Sequence, residues 1–103
     1  MKRYKYQALV AMLPGHNGEP GPELPGPVCR LVVRARHQAT GRSKIFSSLV
    51  STDEPPRAGH PRTTVTMVVL GDDVAEYLTP GEKFVLVRGC DIGRGVVTRR
   101  IFV

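Results

Sequence analysis

Residues 28–37, VCRLVVRARH, alternate without a break: Cys29, Leu31, Val33 and Ala35 fall on one face, Arg30, Arg34 and Arg36 on the other. A β-strand turns successive side chains to opposite faces, so this stretch predicts a half-buried antiparallel strand with one apolar and one basic surface. The same period runs upstream, where Tyr4, Tyr6, Ala8, Val10 and Met12 share one parity within residues 3–13 and no helical spacing competes. Downstream, Thr40-Gly41-Arg42 reads as a turn and residues 44–50 as a third strand with weaker alternation. Residues 62–70, RTTVTMVVL, are nearly all β-branched or apolar, which suits a strand buried on both sides or lining a barrel. Residues 83–87 and 92–103 supply two more strands, joined through residues 88–91 by a tight hairpin.

Proline and glycine mark what lies between. Residues 14–27, PGHNGEPGPELPGP, hold five Pro and four Gly, and residues 51–61, STDEPPRAGHP, hold an adjacent Pro pair; both predict long loops, because Pro lacks the N–H that a sheet needs. Residues 74–78 allow one helical turn, capped by Asp72 or Asp73 and stopped by Pro80-Gly81. The chain of 103 residues is the length of one domain, spanning 1–103. Six strands with little helix predict an all-β fold, a small six-stranded barrel whose closure removes exposed sheet edges. Cys29 and Cys90 form no Cys-x-x-Cys pair and have no His at ligand spacing, so neither a metal site nor a cofactor is expected. Residues 1–13 read as a strand rather than a signal peptide, and no apolar run is long enough to span a bilayer, which predicts a cytoplasmic protein without a membrane partner.

The last third of the chain carries a more specific pattern: Pro80-Gly81-Glu82-Lys83-Phe84-Val85-Leu86, a hairpin, then Gly93-Arg94-Gly95-Val96-Val97-Thr98. This ending resembles the C-terminal (third) β-barrel domain of translation elongation factor Tu and its relatives. In that family a Gly-x-x-Phe strand passes through a hairpin into Gly-x-Gly-Val-Val-Thr. The resemblance extends to the first strand and to residues 61–70. It implies a Greek-key barrel, a translation-related origin, and contact with tRNA or a protein partner rather than catalysis. In the barrel itself, Gly93 and Gly95 are expected to let the last strand bend and pack closely, with Val96 and Val97 filling the interior. The family's tRNA-facing Gly-Tyr-Arg-Pro is Gly26-Pro27-Val28-Cys29 here, its hairpin Glu-Gly is Arg88-Gly89, and its Lys-Pro falls near Val74-Ala75. Selection of aminoacylated tRNA is therefore not expected.

Fifteen Lys and Arg against nine Asp and Glu give a charge of +6, which favours an acidic partner. Arg30, Arg34 and Arg36 share a strand face, and Arg42 and Lys44 follow the next turn, so a hairpin is expected to gather all five on one surface able to meet RNA phosphates. Arg88, beside Gly89, joins Arg94, Arg99 and Arg100 in a second group around the last hairpin. The bland reading of both groups is a solvated strand face. Tyr4, Tyr6 and Phe46 raise the alternative of an OB-like single-strand binder that stacks bases. A small enzyme is the weaker alternative: Ser43, Ser47 and Ser48 lack a nucleophile-elbow context, and His16, His37 and His60 fall in separate segments. No Gly-x-x-x-x-Gly-Lys-Ser/Thr loop occurs, so no nucleotide site is expected. Adding GTP to the isotope-labelled protein is accordingly expected to leave its amide NMR spectrum unchanged.

Overall fold

The computed structural model describes residues 2–13, 27–52 and 62–102. Six strands, β1 (Arg3–Met12), β2 (Val28–Arg36), β3 (Ser43–Ser51), β4 (Thr63–Leu70), β5 (Lys83–Arg88) and β6 (Cys90–Ile101), close into a barrel in the order β1-β4-β3-β2-β5-β6. Every neighbouring pair is antiparallel. β2, β3 and β4 follow one another as neighbours while β1 returns beside β4, which is Greek-key connectivity. The strands match the periods expected of them. Residues 14–26 and 53–61, almost all of the two expected loops, lie outside the described residues. No helix among the described residues is long and apolar enough to cross a membrane.

The barrel interior is assembled from one parity of each strand. Tyr6, Ala8 and Val10 of β1, Val33 of β2, Val50 of β3, Met67 and Val69 of β4, and Leu86 of β5 have no exposed surface. Full burial of an aliphatic, Met or Phe side chain contributes about 1.5–3 kcal/mol, so these positions supply the main drive to close. β4 lines the barrel rather than being buried on both sides: Val65, Met67 and Val69 point in, while Thr64 is exposed and Val68 only partly covered. Ser48, the one buried polar residue among the described residues, donates its hydroxyl to the Leu31 carbonyl at 3.0 Å. The Tyr6 hydroxyl is buried with no hydrogen-bond partner among the described residues, and burial pushes its phenol pKa up.

A 3₁₀ turn, Val74–Glu76, plugs one end with Val74 and Leu78. Tyr77 meets Phe46 edge-on, with ring centroids 5.2 Å apart. Asp73 occupies the position before this turn but makes no side-chain cap. Its carboxylate instead accepts from Lys44 Nζ at 2.7 Å, a charged hydrogen bond that the expected cap would have to give up.

β6 follows its expected glycines but not its expected valines. A Cβ on Gly95 would lie 2.3 Å from the tip of the Phe84 ring, its cross-strand partner, so only glycine permits this approach. Val97 is buried, whereas Val96 faces outward and is only partly covered, because neighbours on a strand cannot both point inward. Thr98 is the extra residue of a bulge opposite Gln7/Ala8, and its hydroxyl donates to the Gln7 carbonyl at 2.8 Å. Gly95→Ala is expected to destabilise the fold by about 3 kcal/mol, the upper end of ordinary overpacking. Urea unfolding should show Gly93→Ala to be milder, since the nearest atoms there stand at 3.3 Å. Phe84→Leu should recover part of the Gly95→Ala loss.

Candidate anion-binding groove

The outward parity of the strands builds a basic groove. Arg34 of β2 lies opposite Val85 of β5, Val85 opposite Arg94 of β6, and Arg94 opposite Ala11 of β1. Val10 pairs with Thr63, so Arg62 comes next in the same row. Three arginines thus alternate with two small apolar residues across five strands. Strands of a closed barrel are tilted and staggered, and this carries the row from the end of β2 to the start of β4. One step along, Lys83 pairs with Val96, and Arg36 stands just past the Ala35–Phe84 pair. The result is a groove of about 760 Å³ lined by Arg34, Arg36, Arg62, Lys83 and Arg94 over Val85 and Val96.

Asp91 is the one carboxylate hydrogen-bonded to these cations among the described residues. Arg34 Nη1 and Nη2 donate to its two oxygens at 3.0 and 2.8 Å, a fork that fixes the guanidinium plane. Both groups are half-exposed, so the pair orients Arg34 more than it stabilises the fold. The hydrogen bond from Arg34 holds the Asp91 carboxyl below its ordinary range, with the charges of Arg34 and Arg94 acting in the same direction. Arg36 donates Nε to the Gly41 carbonyl at 3.2 Å, which ties it to the β2–β3 turn. Arg62, Lys83 and Arg94 make no ion pair among the described residues. Guanidinium forks match the oxygens of phosphate or carboxylate, so the groove is fitted to hold a polyanion.

The five cations expected on one surface are divided. Arg34 and Arg36 enter the groove. Arg30 lies four residues back along β2, opposite Leu49, on another part of the barrel wall. Arg42 is exposed in the turn, where its backbone carbonyl accepts from the His37 N–H at 2.8 Å. Lys44 shares the parity of Phe46 and turns to the barrel end, pairing with Asp73 5.4 Å above the Phe46 ring centroid. Lys44 pairs with the inward-facing Ala35 while Ser43 and Ile45 pair with Arg36 and Arg34, so Lys44 has the wrong parity for the arginine face, which is why the expected hairpin surface fails.

The second group separates too. Arg88 and Gly89 form the β5–β6 turn, where Arg88 pairs with Cys90 and Gly89 takes φ +75°, a conformation that favours glycine. Arg94 joins the groove, Arg99 donates Nε to Gln7 Oε1 at 2.8 Å, and the Arg100 guanidinium lies between the rings of Tyr4 and Phe102 at 4.7 and 4.6 Å. Of the other β6 motif residues, Gly93 packs on the Ala11 backbone while Val97 and Thr98 serve the core and the bulge. Arg62 and Lys83 escaped the sequence reading altogether. The outward parity of Lys83, two residues before Val85, was legible, but their strand neighbours were not. His37 accepts the Ala39 and Thr40 amides on Nδ1 at 3.1 and 3.2 Å, organising the β2–β3 turn; His16 and His60 lie outside the described residues.

No protein-family model matches the chain, and no curated protein or solved structure does so either.

Because the folded-state pKa of Asp91 is depressed, its contribution to stability is present above the ordinary value of 3.8 and is lost as the pH falls through the lower folded value. A carbon-detected NMR titration should place the Asp91 midpoint below 3.8, and Arg34→Gln should return it towards that value.

Proposed function

We propose that this protein is a non-catalytic, cytoplasmic barrel module that binds RNA through phosphate contacts along the basic groove. The observation that carries the reading is the transverse row Arg34–Arg94–Arg62 with Arg36 and Lys83 beside it, five cations against the single hydrogen-bonded carboxylate of Asp91. The resemblance of residues 80–98 in sequence pattern to the third domain of elongation factor Tu is what suggests a translation-related setting for this proposal. It adds no residue of that family's tRNA contacts, since those positions differ here.

Recognition falls on the backbone rather than the bases. Tyr6 and Phe46 point into the barrel, and the Tyr4 ring is buried beneath Arg100, so the three rings weighed for base stacking are spent on the interior. Arginines and a lysine read phosphate charge without base identity. The module therefore binds RNA with little sequence preference and treats charged and uncharged tRNA alike.

Fluorescence anisotropy with a labelled tRNA, titrated across salt, tests this reading. Each phosphate contact contributes roughly 0.7–0.9 to the slope of log affinity against log salt. Replacing Arg62, Lys83 and Arg94 together with Gln should lower the slope by about 2–3. An unchanged slope, or binding that depends on aminoacylation, overturns the assignment of the groove.

A further inference from the structure

A second groove on the barrel wall has a different chemistry. Val68 of β4 lies opposite Leu49 of β3, which lies opposite Arg30 of β2. In the adjoining row, Arg3 pairs with Leu70, and Val32 pairs with both Ser47 and Val87. Together these form a groove of about 500 Å³ whose floor is Val32, Leu49, Val68, Leu70 and Val87. Leu49 faces away from the core and keeps 41% of its surface exposed. Arg3 stands on one side, Arg30 and Arg88 on the other. Among the described residues none of the three makes an ion pair or a side-chain hydrogen bond. Aliphatic side chains gathered on an outer wall and rimmed by arginines without a carboxylate partner among the described residues combine an apolar floor with charged flanks.

We infer that this groove receives an amphipathic helix of a protein partner, with an apolar stripe on the floor and Asp or Glu on both flanks reaching Arg3, Arg30 and Arg88. Three features select that occupant. Among the described residues every strand is laddered on both sides over at least four residues, so no strand offers a full-length edge to an added partner strand. The apolar floor does nothing for phosphates, which separates this surface from the basic groove. A second copy seated face to face would bring three arginines against their own equivalents in a chain of charge +6. A helix with apolar residues at i, i+3, i+4 and i+7 leaves its flanks free for carboxylates, which matches a row of apolar side chains with cations on either side.

The test is a selection from a phage-displayed library of helical peptides about 15 residues long, against the full chain. The expected winners carry an apolar stripe flanked by acidic residues and shift the amide signals of Val32, Leu49, Val68 and Val87. Leu49→Glu should weaken such a peptide by about tenfold or more. Arg30→Gln and Arg88→Gln, exposed changes that leave the core intact, should each weaken it less and reduce its salt dependence. The salt slope of tRNA binding should stay as it is in all three variants. No enrichment, winners without acidic flanks, or shifts confined to the Arg34–Arg94 groove overturn the inference; so does a chain that dimerises through Leu49 in sedimentation.

Discussion

The contact of the Phe84 ring with the bare Cα of Gly95 is the constraint on which the barrel turns. The two residues face each other across β5 and β6, and any side chain at Gly95 would have to occupy the space of the ring. Their inward parity sends Lys83 and Val85 outward on β5, and Arg94 and Val96 outward on β6. β5 also pairs with β2, so the same contact aligns Arg34 with Arg94. A packing fact inside the barrel thus sets the charge pattern outside it.

Thr98 performs the matching task on the far side of β6. The bulge there shifts the pairing with β1, so that Arg99 meets Gln7 while Arg100 lies over the Tyr4 ring. The closing strand therefore presents two different surfaces in one length, a basic groove wall before the bulge and, after it, exposed arginines laid against Gln7 and the Tyr4 ring. Bulges re-aim side chains in this way because the extra residue breaks the two-residue period.

The outer wall is split by chemistry. Around β2, β5, β6 and β1 the outward positions are cations over small aliphatics; around β4, β3 and β2 they are larger aliphatics between separated arginines. Arg30 and Arg34 sit on one strand face yet belong to different surfaces. With six aromatic residues and no Trp in the chain, and Tyr4, Tyr6, Phe46, Tyr77 and Phe84 in the core, the polar character of the outer wall comes mainly from the guanidinium groups.

The strand content was legible from the amino-acid order alone, because period-two alternation is a local property and β1 and β2 display it over their whole lengths. The glycines of β6 were legible too, since a Gly-x-Gly within a strand marks close approach. The parity of Lys44 was readable in principle from Phe46 and Val50, yet the turn before it invited the wrong face. What the order of residues could not determine was which strands become neighbours and in which register. Arg34, Lys83, Arg94 and Arg62 meet only because β5 pairs with β2, β6 with β5 and with β1, and β1 with β4; Leu49 and Val68 meet across another such pairing. Those registers are chosen by the fit of side chains from distant segments inside one closed core, a tertiary competition that no local window contains.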